Sequence, residues 1–290
     1  MLRSAFLVFL FLLPSALWAQ YVTGTVVVLE AGGDYIAVAA DSFRLGPGQG
    51  EVSHAACKIV KLTDQLVFAA SGLSSRQGYA GSPFTDTWNA KDIARHEHAA
   101  LANKHTDHLI QKLAAAYGEN LAARINHDLT LEPDGALMSY VTRQCGGGAA
   151  IFAGFDERHQ RVIVEVTVRT LVAGARTVGY DTKVLPGDDT EETEVVGDTT
   201  IAQELAAGGT ERSRDWRSAM LLRQTGLGLK DRLLAAAESV AEQTAKYDPE
   251  HVGGPIDLIL VTRKHGVTWV RRKPECTLKS QAGKAQGCQR

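Results

Sequence analysis

The sequence predicts an α+β fold in which two antiparallel sheets pack face to face with helix pairs outside, all in one domain. Three observations predict it. Strand-like runs come in pairs across Gly- or Asp-containing turns, which is the hairpin pattern. A four-residue apolar repeat, the helix period, interrupts them in mid-chain. The resulting order is strands, two helices, strands, helices, strands, with no internal repeat and no linker to divide it. Composition agrees. The chain has 290 residues, is 44% hydrophobic and 22% charged, and carries 31 Lys+Arg against 33 Asp+Glu. That apolar share supports a core and argues against disorder. A near-neutral balance without a long basic run removes the electrostatic reason to expect a nucleic-acid partner.

Taken in order, Arg3 precedes an apolar run from Ala5 to Leu13, then Pro14 to Gln20. A basic start, a short apolar core and a small residue at the end read as a secretory signal peptide over residues 1–19, cut after Ala19. The run is too short for a membrane span. The expected product is therefore an exported protein, periplasmic or secreted, with no stable membrane span. Its folded domain is expected over 20–273, followed by a polar, loose tail over 274–290.

Val22 to Glu30 reads as one strand, and Tyr35 to Ala40 as its hairpin partner across Gly32-Gly33-Asp34. Lys58 to Leu62 and Leu66 to Ala70 repeat the pattern around Thr63-Asp64. Leu109, Leu113, Tyr117, Leu121 and Ile125 form the helix stripe, which gives helices near 88–104 and 106–127. Strands return at Ala149 to Gly154 and Arg161 to Val172, turning through Phe155-Asp156-Glu157. Asp188 to Glu194 reads as an acidic loop. A short helix follows Asp198, and a longer one covers Leu227 to Lys246. Pro249 and Gly253-Gly254-Pro255 break it, and Ile256 to Thr262 and Val267 to Arg271 form the last hairpin around Lys264-His265-Gly266.

The four cysteines, Cys57, Cys145, Cys276 and Cys288, allow two disulfides with three connectivities in an exported chain. Cys276 and Cys288 share the polar tail and could pair. Cys57 and Cys145 lie in apolar surroundings and suit buried thiols as well as a bridge. His96, His98, His105 and His108 crowd the first helix pair. His98 and His105 stand about 10 Å apart along one helix, too far for one metal. They read as a solvated polar face, and no metal or other cofactor is expected.

Several short segments together resemble proteasome subunits of the β type. They are Gly24-Thr25-Val26-Val27-Val28, Ala39-Ala40-Asp41-Ser42, Cys57-Lys58-Ile59-Val60 and Ala70-Ser71-Gly72-Leu73, in that order and spacing. Ala153-Gly154-Phe155-Asp156 resembles that family's mid-chain hairpin, and Gly253 to Gly266 its closing strands. The resemblance touches nearly all of residues 20–273. It implies the N-terminal-nucleophile (Ntn) hydrolase fold, a four-layer αββα sandwich, and assembly of identical subunits into a ring.

A threonine hydroxyl is a weak nucleophile, but an N-terminal threonine can use its own α-amine as base, at a pKa of about 7.7–8.0. The peptide bond before it must first be cut. Thr25, preceded by Gly24, resembles the self-cleavage site of active β subunits, and Asp41 follows it by 16 positions, the family's spacing. Thr23 is the rival, preceded by Val22. In a third reading neither acts, because both are ordinary strand threonines.

Asp41 ends an apolar run, so its carboxylate starts near the core and needs a partner. Lys58 could be that partner. Singly, Asp41 reads as a turn residue and Lys58 as an exposed strand lysine. Together, the resemblance implies that Lys58 activates the threonine and Asp41 orients Lys58. Gly72 allows close backbone approach and could offer its N–H to an oxyanion, or simply make a turn. The family pattern also wants a serine near Gly197-Asp198, where Val196 and Thr199 stand. It wants an aspartate and a serine before Gly253, where Asp248 is displaced by one position and Val252 replaces the serine. The expected activity is threonine-type amide hydrolysis, most simply of short or unfolded peptides, with no ATPase partner outside the cytoplasm. The alternative is a catalytically inactive scaffold or binding subunit of the same fold.

Overall fold

A computed structural model describes residues 21–24, 26–45, 52–53, 56–76, 87–102, 107–131, 137, 138, 141, 148–170, 176–187, 190–197, 199–274 and 276. The expected signal peptide, Thr25, His105, Cys145, Asp198 and Cys288 lie outside the described residues. So do the side chains of residues 21–24, including Thr23.

Two antiparallel sheets form the centre. The first contains β1 (Tyr21–Gly24), β4 (Arg44–Leu45), β5 (Val52–Ser53), β6 (Ile59–Lys61), β7 (Leu66–Arg76), β8 (Trp88–Asn89), β9 (Gly148–Phe155), β10 (Arg161–Arg169) and β11 (Gly179–Leu185). Its main order is β11-β10-β9-β7-β1-β4-β5, with β6 and β8 also paired to β7. The second contains β2 (Val26–Gly32), β3 (Tyr35–Ala40), β12 (Glu192–Gly197), β13 (Asp257–Thr262) and β14 (Gly266–Arg271), ordered β12-β2-β3-β13-β14.

Period-2 alternation sorts the strand side chains between layers. In β2 and β3, Val27, Leu29, Ile36 and Val38 meet Val67, Ala69, Ile151 and Ala153 of the first sheet, forming the central core. Their neighbours Val26, Val28, Ala37 and Ala39 face the other way. There they meet Leu233, Ala237, Val240 and Ala241 of α5 (Leu229–Tyr247), beside α3 (Thr200–Ala207) and α4 (Glu211–Gln224). Both faces of these strands are thus covered, which explains their unbroken apolar sequence. On the far side of the first sheet lie α1 (Ala90–Ala102) and α2 (Leu109–Leu131). Leu113, Tyr117, Leu121 and Ile125 of α2, the predicted stripe, are buried there. Tyr117 packs edge-on against Phe68 and Phe152, which are tilted to each other, with ring centroids 5.0–5.4 Å apart. The α+β class and the face-to-face sheets agree with the sequence reading.

Several details differ from it, among them strand β11, which the sequence reading does not contain. Val22 to Glu30 is not one strand, because β1 belongs to the first sheet and β2 to the second. β-propensity marks extended chain without saying which sheet receives it. The acidic segment ending at Glu194 is not all loop: Glu192, Thr193 and Glu194 open β12, an edge strand paired to β2, and edges tolerate charge. Helix α4 was not expected, since Leu221 and Leu222 lie on its exposed side and break the apolar period. Cys276 bonds to Cys57, not to Cys288, with their Cα atoms 5.6 Å apart. The start of the expected loose tail is therefore buried at Cys276 and covalently tied.

Glu30 of β2 points into the helix side and is 8% exposed. Its register partner Thr193 donates to Oε2 at 2.8 Å. Burial, with a smaller push from Glu191, raises its carboxyl from 4.5 to about 7. A folded-state pKa raised above the unfolded value gives stability that is complete below pH 4.5 and lost as pH rises through 7. The stability of Glu30→Gln relative to wild type is therefore expected to improve by about 3 kcal/mol between pH 4.5 and pH 8. Urea unfolding of both proteins at the two pH values measures it.

Candidate active site

The site lies where the two sheets meet, at the ends of β2, β3 and β13. Strand β3 buries Ile36 to Ala40 continuously, and Asp41 follows with no change of environment, so its carboxylate is fully buried. Oδ1 accepts the Val26 N–H at 3.0 Å and the Lys58 ammonium. Oδ2 accepts the Phe43 N–H at 2.9 Å and the Gly253 N–H at 3.1 Å. These four described donors reach both of its oxygens. Asp41 therefore ties together the start of β2, its own turn, the loop before β13 and the residue before β6.

Lys58 is 6% exposed. Burial pulls its ammonium down from 10.5 to about 8, partly opposed by Asp41 and assisted by the nearby Lys273 cation. An amine in this range can exchange a proton near neutral pH, as an acid–base group must.

Gly72 has φ +72° and sits opposite Gly24 on one side and Gly148 on the other. A Cβ there would meet Gly148 Cα at 2.9 Å. Both the left-handed backbone and this contact require glycine. The residue following Gly24 is Thr25, and the residue after that, Val26, donates its N–H to Asp41. The segment carrying the expected nucleophile is thus bracketed by described contacts to Gly72 and Asp41.

Asp248 ends α5 and turns away. Its Oδ1 lies 2.9 Å from His251 Nδ1, and its carbonyl accepts the Val252 N–H at 2.9 Å. Its carboxylate engages His251 and not Lys58 or Asp41. The loop it starts does reach the site, because Gly253 also accepts the Ser42 N–H at 3.0 Å. Val252 is fully buried in the helix-side core. Thr199 precedes α3 and accepts from Gln203 Nε2 at 3.0 Å.

Sequence reasoning missed a second buried ion pair beside the first. Asp257 opens β13 opposite Ala40, the residue before Asp41. Lys273 Nζ lies 2.9 Å from Asp257 Oδ2 and donates to Ser42 Oγ at 2.7 Å and to the Ala56 carbonyl at 2.6 Å. Ser42 Oγ in turn donates to the Pro255 carbonyl. A signal for Asp257 was present, since it heads the apolar run Leu258 to Val261 just as Asp41 ends one. Nothing in the polar run Arg271-Arg272-Lys273 marked Lys273. Among the described residues, no three His, Cys, Asp or Glu side chains gather as a metal site, and no helix is long and apolar enough to cross a membrane. No protein-family model matches the chain, and neither does any curated protein.

Proposed function

We propose that the protein is an exported threonine-nucleophile amidohydrolase of Ntn-hydrolase fold, a peptidase that acts on short or unfolded peptides after self-cleavage before Thr25. One observation carries this reading. The same oxygen of Asp41 holds both the Lys58 ammonium and the N–H of Val26, the residue next to Thr25. The lysine and the expected nucleophile therefore share one anchor.

In the first step the Thr25 hydroxyl attacks the Gly24 carbonyl, and the amide nitrogen of Thr25 leaves as an amine. Water then hydrolyses the resulting ester, which frees Gly24 and leaves Thr25 as the N-terminus. In turnover that α-amine takes the hydroxyl proton as the Thr25 oxygen attacks the substrate carbonyl and passes it to the leaving amine; water then hydrolyses the Thr25 ester, which releases the acyl half as an acid and restores the hydroxyl. Lys58 lowers the cost of the alkoxide, and the Gly72 N–H is a candidate donor to the oxyanion opposite it. Strand β1 lies between β7 and β4. Its departure would open a strand-shaped slot, and an extended peptide would enter by adding a strand. Ring assembly of identical subunits and the absence of an ATPase partner rest on the resemblance and on export.

A second reading, an inactive scaffold of the same fold, is favoured by one observation: Asp248 is turned to His251, and the buried Val252 offers no hydroxyl. Intact mass and N-terminal sequence separate the two. Export and cleavage give a chain starting at Thr25, whereas a chain starting at Gln20 supports the scaffold and one starting at Thr23 moves the nucleophile there. Thr25→Ala is expected to keep β1 attached and to lower hydrolysis of a fluorogenic peptide panel by at least about a thousandfold. Unchanged processing and turnover in that variant would sink the peptidase reading at Thr25.

A further inference from the structure

Lys273 is 3% exposed, on a segment that follows the last strand. A lysine is rarely buried so deeply without a specific set of partners. Three of its partners are described, and each is next to the proposed site. Ser42 follows Asp41, Ala56 lies two residues before Lys58, and Asp257 pairs in register beside Asp41. The Lys273 N–H also donates to Asp257 Oδ1 at 2.9 Å. Three residues later, Cys276 is bonded to Cys57, the residue before Lys58. The strap from Arg272 to Cys276 is further pinned by Arg272 Nη2, which donates to the Cys276 carbonyl at 2.8 Å. Two lysines and two aspartates thus form one buried cluster, assembled from Asp41 and Lys58 near one end of the described chain and Asp257 and Lys273 near the other.

We infer that Lys273 is a positioning residue for the Lys58–Asp41 pair, delivered by a C-terminal strap that the Cys57–Cys276 disulfide locks in place. Lys273 fixes Ser42 and the Ala56 carbonyl, so it sets the two backbone segments from which Asp41 and Lys58 project. As a second cation it also opposes the charge on Lys58. Among the described residues, the charged groups acting on Lys58 include Asp41 and Lys273, with Asp257 behind Lys273. Oxidation therefore completes the site. The two thiols lose two protons and two electrons to a small disulfide such as oxidised glutathione, which departs as two thiols while one S–S bond forms. In a reducing compartment the strap is untied and the pair is left without its second cation. The role in turnover rests on the peptidase reading, but the ionisation of Lys58 does not.

The test follows the Lys58 Cε resonance by NMR in full-length protein labelled with 13C-lysine, with the signal identified by its loss in Lys58→Arg. Wild type is expected to titrate near pH 8. Lys273→Met, made with Asp257→Asn so that no carboxylate is stranded, should titrate higher than wild type, because the cation that opposes the Lys58 charge is gone. Lys273→Arg, which keeps the charge, should restore the wild-type value. The Cys57→Ser/Cys276→Ser pair, which keeps both lysines, should behave like Lys273→Met. An unchanged Lys58 titration in folded Lys273→Met/Asp257→Asn, or in the serine pair, overturns the inference. If the Lys273 variant does not fold, the serine pair decides alone. A shift without any peptide turnover would retain the inference and reject the peptidase, whereas turnover without a shift would do the reverse.

Discussion

Asp41→Ala is expected to lower the free energy of unfolding by about 3–5 kcal/mol, the range for breaking a buried ion pair by removing one partner. The reason lies in what stays behind. Lys58 would be left buried with its charge uncompensated by Asp41, and the N–H groups of Val26, Phe43 and Gly253 would lose their shared acceptor. These groups belong to separate segments, so the loss loosens the junction of β2, β3 and the loop before β13 together. Asp41→Asn should cost less, because an amide oxygen can still accept some of the same bonds. Denaturant unfolding at pH 7 of the three proteins measures the order. Equal stability of Asp41→Ala and wild type would mean that the cluster carries no net stabilisation.

The second large effect is expected from the disulfide. Cys57 and Cys276 are separated by 219 residues. A cross-link of that span restricts the unfolded chain enough to stabilise the fold by about 5 kcal/mol on the loop-entropy account. The Cys57→Ser/Cys276→Ser protein should therefore melt well below wild type in oxidising buffer. Adding a reductant should bring wild type down to the variant and leave the variant where it is. A melting temperature of wild type unmoved by complete reduction would show that the strap is held by its ionic contacts alone.

The fold was legible where burial and pattern coincide. The α2 stripe, the hairpin β2–β3 and the closing hairpin β13–β14 announce themselves because each apolar residue has one destination. Asp41 was legible for the opposite reason, because a charge at the end of an apolar run demands a partner, and Lys58 was legible only beside it, through the resemblance. Other features depend on tertiary placement that sequence does not encode locally. The division between Gly24 and Val26 is decided by which strands wait on either side. The Cys57–Cys276 link joins a strand start to a tail whose own residues are polar. The resemblance points to Asp248, whose carboxylate lies against His251 in the turn after α5. Lys273 was invisible because a lysine in a polar segment is ordinarily solvated.

The position of β1 has a consequence for what could be processed. It is an inner strand, with β7 on one flank and β4 on the other. A vacancy there differs from a free sheet edge. An edge bonds a guest along one side and tolerates bends, side branches and folded cargo beyond it. On the proposed peptidase reading, a vacancy there would bond the guest backbone on both sides at the two positions that β4 reaches, so it would favour a stretched chain and reject proline wherever an N–H must bond. Selection would then fall first on the extensibility of the guest and only second on its side chains. Compact domains would be excluded by geometry, without a gate to exclude them.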